Sequence, residues 1–174
     1  MLRNFINIIG IADPSEFPII TTANPNTEHI VEETLTIPDA KPDVEQINTI
    51  LIEAKLSSSR VIVTPTGLKV IIEGELTQKI IYTAAEPTQS VHSAHFTIQF
   101  CSFIEIPLTV PPGMSAQDYL QTLGLTLDTV LTAPTKVLIE DVTASLLDPR
   151  TIEKCTVLFL WATISPLLVP TPQV

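Results

Sequence analysis

Three histidines and two cysteines are the side chains of this chain best suited to metal binding or nucleophilic catalysis. His92, His95 and Cys101 fall within one stretch, EPTQSVHSAHFTIQFCSFIEIP (86–107). Its alternation of apolar and polar residues is typical of a β-strand, in which neighbouring side chains point to opposite faces. His92 and His95 then do not converge, whereas zinc needs three or four converging ligands. The pattern therefore predicts a strand with an apolar inner face, and no metal site.

Catalytic motifs are absent from the sequence. It contains no GxSxG, no glycine-rich phosphate loop and no HExxH. Two carboxylate pairs, Glu32-Glu33 and Glu140-Asp141, lie in extended segments, where consecutive residues face opposite ways and cannot act as an acid–base pair. We interpret both pairs as solvated faces and expect no catalytic residue and no cofactor. The alternative, a hydrolase or metal enzyme on a β-sandwich, would be marked by a stoichiometric metal.

Cys101 and Cys155 are too far apart in sequence to form a CxxC element, and two cysteines do not make a disulfide framework. One interpretation is that both are small apolar residues in or near a core. The other is that they are candidate crosslinks, within the chain or between subunits. The sequence leaves both open.

Composition excludes several classes of partner. The chain has 174 residues, a length that predicts one domain with at most an arm. Only 16% of the residues are charged, against roughly 25% in ordinary globular proteins. The net charge is −10 and the nine basic residues form no stripe, so we expect neither nucleic acid nor an anionic membrane as partner. No run approaches the ~20 apolar residues of a membrane span. The start, MLRNFINIIGIADPSEFP, lacks a clear cleavage site and does not predict a secretory signal.

Prolines and glycines divide the chain into short extended segments. Strands are predicted at 31–37, 47–64, 68–84 and 91–107, and a long hairpin at 135–147 and 151–164 around Asp148-Pro149-Arg150. Gly74, in mid-strand, predicts a bulge or a close approach. A short helix is expected at 115–124, with Ser115 as its cap and Gly124 as its stop. PDAKPDVEQI (38–47) predicts a turn and one helical turn, with Pro42 at its first position.

These elements predict an all-β fold, a mostly antiparallel β-sandwich with an extended N-terminal arm. The arm covers residues 1–30 and is apolar and proline-rich, with one or two short strands. The sandwich covers 31–165, and a proline-rich tail follows at 166–174.

Three stretches together resemble one family. They are LTIPDAKPDVEQI (35–47), VIIEGELTQKIIYTAAEPTQSVHSAHFTIQFCSFIEIP (70–107) and VLIEDVTASLLDPRTIEKCTVLFL (137–160). In their order and content they are similar to the SPOCS domain of spore-coat proteins in endospore-forming bacteria. The resemblance covers roughly residues 31–165.

The resemblance implies a structural protein of the spore, without enzymatic activity and without catalytic residues to carry over. The chain differs from larger members in having one copy of the domain, no peptidoglycan-binding module and an apolar arm. We therefore expect a self-assembling subunit of the coat, exosporium or a filamentous appendage, made in the mother-cell cytosol. Its partners would be copies of itself, and other spore-coat proteins are a further expectation. The alternative is a monomeric adaptor that binds one coat or morphogenetic protein.

The arm supplies the candidate contact residues for assembly. Its apolar side chains precede Pro14, and soluble monomers avoid leaving such a patch in water. We predict that the arm adds a strand to, or packs on, a neighbouring subunit; the alternative is an edge strand of its own sandwich. The candidate subunit-contact residues are Leu2, Phe5, Ile6, Ile8, Ile9 and Ile11.

Overall fold

The computed structural model describes residues 5–170, which form two packed β-sheets. The seven strands are β1 (Asn7–Ile9), β2 (Asn26–Thr36), β3 (Val44–Thr64), β4 (Gly67–Ala84), β5 (Val91–Pro107), β6 (Leu131–Asp148) and β7 (Thr151–Ile164). The first sheet has the order β1-β3-β4-β5 and the second the order β2-β7-β6. Every strand pair is antiparallel except β1 with β3, which is parallel. The predicted all-β, mostly antiparallel sandwich is confirmed.

The core lies between the two sheets because the inner strands alternate strictly along their length. In β4, Leu68, Val70, Ile72 and Leu76 share the buried face, as their common parity predicts. β5 behaves in the same way: Ala94 and Phe100 face inward, and the residues between them that were predicted to point outward are exposed.

Gly74 is the predicted close approach in mid-strand. A Cβ atom at this position would lie 2.5 Å from the Lys55 carbonyl oxygen and 2.5 Å from a carbon of the Phe100 ring. The neighbouring strand β3 shifts register between Leu56 and Ser58. Only glycine leaves room for the ring and the carbonyl at once.

Two features differ from the sequence predictions, the start of β2 and the conformation of the loop before β3. β2 begins at Asn26, inside the predicted arm, because alternate residues from Thr27 onward already face the second sheet's inner side. The helical turn predicted at Pro42 is wrong: residues 38–41 close a turn, with Lys41 N–H bonded to the Pro38 carbonyl, and the chain then extends into β3. The backbone after Pro42 is held extended by its neighbours, since Val44 N–H donates to the Pro149 carbonyl at 2.7 Å and the Asp43 carbonyl accepts the Ala85 N–H at 2.8 Å.

One helix, α1 (Ala116–Thr122), crosses between β5 and β6 as predicted. Ser115 caps it by accepting the Asp118 N–H at 3.1 Å, and Gly124 follows at φ +70°. Three short 3-10 turns complete the described elements: Pro14–Glu16, Leu127–Thr129 and Pro166–Leu168. Leu168 is buried, so the start of the predicted tail contributes to the core.

Candidate functional site

The candidate contact residues of the arm divide between two faces. Ile6 and Ile8 pack against the core, whereas Phe5, Ile9 and Ile11 leave 78%, 50% and 39% of their surface exposed. The sixth, Leu2, lies outside the described residues. The arm therefore has one apolar face on its own sandwich and a second apolar face in solvent.

β1 is an edge strand of its own sheet. Asn7 lies opposite Thr49 and Ile9 opposite Leu51. An edge strand on its own sandwich is the alternative that the sequence left open for the arm. The predicted contact of the arm with a neighbouring subunit stays a prediction.

The rest of the arm is tied across the sandwich. The Ala12 N–H donates to the Ile139 carbonyl at 2.9 Å, and the edge of the Phe17 ring packs on Phe159, with ring centroids 5.5 Å apart. Phe159 has the outward parity of the second sheet, so the arm passes from the edge of one sheet to the outer face of the other. Residues 12–17 are thus held by their own chain.

Beyond β1, the edge of the first sheet is open. β1 covers β3 only at Thr49–Leu51, and β3 continues to Thr64 without a strand on that side among residues 5–170. Beside β1, a shallow depression of about 580 Å³ crosses the outer face of the sheet, with Ile9, Leu51 and His95 among its lining residues. An open backbone edge next to exposed apolar side chains is a surface on which another strand can pair.

The two candidate crosslink cysteines lie on opposite outer faces of the sandwich. Cys101 is exposed on the edge strand β5, and Cys155 is half-buried on β7; both are free thiols. Cys101 shares its parity with the outward residues of the first sheet, and Cys155 shares its parity with those of the second. Cys101 therefore does not lie in the core, and the two thiols, on opposite faces, do not pair with each other. A crosslink to another molecule stays a prediction.

The histidines occupy three separate environments. His92 stacks on Tyr82, with ring centroids 5.9 Å apart, and its Nε2 lies 3.0 Å from the Ser90 hydroxyl. His95 is exposed, and His29 lies against Phe100 at 5.9 Å between ring centroids. Burial lowers the pKa of His29 below its ordinary value. Within the part of the chain that the structure describes, no three His, Cys, Asp or Glu residues are grouped as metal ligands.

Arg150 joins two loops at one end of the sandwich, the β6–β7 turn and the segment 37–43. Its guanidinium donates to the carbonyl oxygens of Pro38 at 2.7 Å and of Ile37 and Lys41 at 3.2 Å, and it pairs with the Asp43 carboxylate. A planar guanidinium with five donors suits such a multiple contact, which a lysine cannot reproduce.

A third loop meets the same end, the one after β4 with the sequence EPTQS (86–90). Tyr82 donates its hydroxyl to the Pro42 carbonyl at 3.1 Å, and Gln89 donates to both carboxylate oxygens of Glu45 at 3.0 Å. Burial raises the pKa of Tyr82, with Arg150 opposing the effect. The three stretches whose residues suggested a family thus converge in space, although they are far apart in sequence.

This convergence agrees with the comparison of the chain with protein families. The model of the family described as "SipL, SPOCS domain" matches residues 43–147, more than half of the chain. The chain belongs to the SPOCS-domain family. Membership indicates a protein related to sporulation. No curated protein and no solved structure matches the chain.

The match spans β3 to β6 of the SPOCS domain, whereas the arm, β7 and Arg150 lie outside it. β2 and residues 37–42 also lie outside the match, so the contacts of Arg150 with its loop join segments on either side of the matched residues. Among the helices that the structure describes, none has the length and apolar character needed to cross a membrane.

The interior of the SPOCS sandwich holds a polar network that sequence reasoning missed. Lys154 Nζ lies 2.6 Å from Glu33 Oε2, and the two side chains are 0% and 2% exposed. Gln78, on the opposite sheet, donates Nε2–H to Glu33 Oε1 at 2.7 Å. Lys154 also donates to the hydroxyl of the buried Thr156. Glu33 is thus a buried, paired carboxylate and not part of a solvated face.

Strand parity was the signal that could have located this network. Glu33 stands two residues from Val31 and from Leu35, and Lys154 stands two from Ile152, all three apolar residues facing the core. A charged residue at an inward position predicts a buried partner. The second carboxylate pair, Glu140-Asp141, agrees better with the predicted solvated face, because Asp141 is exposed and Glu140 is half-buried. Partial burial, and then the nearby carboxylates, raise the pKa of Glu140.

Proposed function

We propose that this SPOCS-domain protein is a non-enzymatic structural subunit that assembles with copies of itself on the spore surface, in the coat, the exosporium or an appendage. The observation that carries the proposal is the two-faced arm. Ile6 and Ile8 anchor the arm on the sandwich, while Phe5, Ile9 and Ile11 present an apolar face to solvent. If the arm only completed its own sheet, the exposed apolar face would contribute nothing to the stability of the subunit and would leave an apolar patch in water.

The open edge of β3 supports the same proposal. It adjoins the arm and offers unpaired backbone groups from about residue 53 to Thr64. A neighbouring strand placed there would gain backbone hydrogen bonds and would cover Ile9 at the same time. A contact that joins two different surfaces in this way repeats from subunit to subunit and builds a filament unless it closes into a ring.

The test separates the exposed face of the arm from its anchoring face. In the variant Phe5→Ser, Ile9→Thr, Ile11→Thr, the anchors Ile6 and Ile8 remain. We expect this variant to keep its circular dichroism spectrum and to be a monomer. The unaltered chain should form polymers, seen in negative-stain images and by light scattering after size exclusion.

The matched control changes Ile19→Thr and Ile20→Thr, two exposed apolar residues elsewhere in the N-terminal segment. This control should assemble as the unaltered chain does. Polymers formed equally well by the triple variant would overturn the role of the arm. An unaltered chain that stays monomeric and binds a single coat protein would favour the adaptor alternative. A fluorescent fusion imaged during sporulation tests the proposed location.

A further inference from the structure

The buried network brings together an amine, a carboxylate and a carboxamide. Lys154 Nζ and Gln78 Nε2 contact the two oxygens of one carboxylate, Glu33, at 2.6 Å and 2.7 Å. Gln78 is itself 3% exposed. Its carbonyl oxygen Oε1 is buried and has no hydrogen-bond donor among the described residues. A nucleophile, a proton-transfer group and an acyl group are thus held in one dry site.

We propose that Lys154 and Gln78 form an intramolecular isopeptide bond, with Glu33 as the group that transfers the protons. The proposal concerns the interior of the sandwich and does not depend on the proposed assembly. No external oxidant, metal or enzyme is needed, because the reaction is an amide exchange.

The step balances as follows. The Lys154 ammonium gives a proton to the Glu33 carboxylate, and the neutral Nζ attacks Cδ of Gln78. The new C–N bond forms, Glu33 passes this proton to Nε2 and takes a second proton from Nζ, and the C–Nε2 bond breaks to release ammonia. Glu33 then gives the second proton to the ammonia, which leaves as ammonium. The products are one secondary amide, which links Lys154 to Gln78, and one ammonium ion. Glu33 is again a carboxylate, and it can accept a hydrogen bond from the new amide N–H.

The surroundings favour this reaction in three ways. The two oxygens of the Glu33 carboxylate contact the two reacting side chains, so that the amine and the carboxamide are held beside the same group. Thr156, whose hydroxyl accepts from Nζ, orients the amine. The apolar site also keeps out the water that would hydrolyse the acyl group.

The bond would join the two sheets through their interior strands. Gln78 lies on β4, which is flanked by β3 and β5, and Lys154 lies on β7, which is flanked by β2 and β6. A covalent link at this point prevents the sheets from separating even when the hydrophobic core is solvated.

Mass spectrometry of the full chain tests the proposal. The intact mass should lie below the sequence mass by one ammonia, about 17 Da, in a purified sample or after prolonged incubation. Trypsin should not cleave after Lys154, and the digest should contain peptide 70–79 joined to peptide 151–174. Fragmentation should locate the link at Gln78 and Lys154, which distinguishes it from ammonia loss at an asparagine.

Two variants provide the controls. Gln78→Met removes the acyl group and leaves the Glu33–Lys154 pair intact, and Glu33→Gln removes the proton-transfer group at nearly constant volume. Both should show the full sequence mass and normal cleavage after Lys154. Because Glu33→Gln disturbs a buried pair, its folding is checked by circular dichroism, and Gln78→Met carries the comparison if it does not fold. An unaltered chain that keeps its full mass and is cleaved after Lys154 following long incubation overturns the proposal.

Discussion

Removing the side chain of Arg150 should loosen one end of the sandwich. In the variant Arg150→Ala, the carbonyl oxygens of Ile37, Pro38 and Lys41 lose their donor, and Asp43 loses its ion pair. The backbone bonds between the two loops remain, since the Ile37 N–H donates to the Arg150 carbonyl at 2.8 Å whatever the side chain. The fold should therefore persist while the loop 37–43 becomes mobile.

The size of the effect follows from the exposure of each partner. Arg150 and Asp43 are 30% and 51% exposed, so their ion pair contributes at most about 1 kcal/mol. The carbonyls of Ile37 and Lys41 are partly buried, and each loses a charged donor worth roughly 1.5–3 kcal/mol before water replaces part of it. Because water replaces part of each lost hydrogen bond, we expect a net loss of about 2–4 kcal/mol of unfolding free energy. For a chain of this length that corresponds to a decrease of about 5–15 °C in melting temperature.

Thermal unfolding followed by circular dichroism measures this loss, and limited digestion with an aspartate-specific protease at the exposed Asp39 reports the loop itself. Arg150→Lys keeps the charge but offers a single ammonium, so we expect an intermediate decrease. The matched control is Arg60→Ala, since Arg60 is exposed on β3 and its side chain makes no hydrogen bond or ion pair within residues 5–170. An Arg150→Ala variant that melts within about 1 °C of the unaltered chain would refute the reasoning.

Three further predictions concern other parts of the sandwich. Gly74→Ala should destabilise the fold by about 1–3 kcal/mol in denaturant unfolding, because its Cβ would overlap the Phe100 ring and a β3 carbonyl; a gain in stability would contradict this. Burial holds the pKa of His29 below 6.5, so the unfolded chain binds more protons near and below that pH; stability should fall as the pH drops through this range, and His29→Gln should flatten the dependence. Material from sporulating cells, run on non-reducing gels, should show disulfide-linked species that disappear in Cys101→Ser, since Cys101 is the exposed thiol. If these species persist when Cys101→Ser is combined with Cys155→Ser, cysteine is excluded as their cause.

Much of the sandwich was predictable from local pattern. Period-two alternation in β4 and β5 fixed which residues face the core, because a shift of one residue would turn every apolar side chain outward. Turn residues were equally informative: Asp148-Pro149-Arg150 marked the hairpin between β6 and β7, and Ser115 with Gly124 marked α1. These signals depend on backbone preferences within a few residues, so a single sequence contains them.

The candidate site was less predictable because its contacts join distant parts of the chain. Nothing near Arg150 in sequence indicates that its guanidinium reaches the carbonyls of residues 37–41. The parallel pairing of β1 with β3 depends on a hydrogen-bonding edge that only the folded sheet exposes. Adjacent carboxylates suggested solvent, and the burial of Glu33 became evident only once β2, β4 and β7 were placed around it.

The position of the polar network also bears on how the two sheets find their alignment. A slip of one residue in β7 would turn Lys154 outward and bring Cys155 into the core, leaving the Glu33 carboxylate buried without a cation. Hydrophobic residues alone penalise such a slip through poorer packing, whereas an unpaired buried charge adds a separate and larger cost. Gln78 extends this selection to the opposite sheet, because its amide reaches Glu33 only when β4 lies over β2 and β7 in the native register. The network therefore specifies the alignment of the sandwich whether or not the isopeptide bond forms, and the bond would make permanent an alignment that the ion pair has already selected.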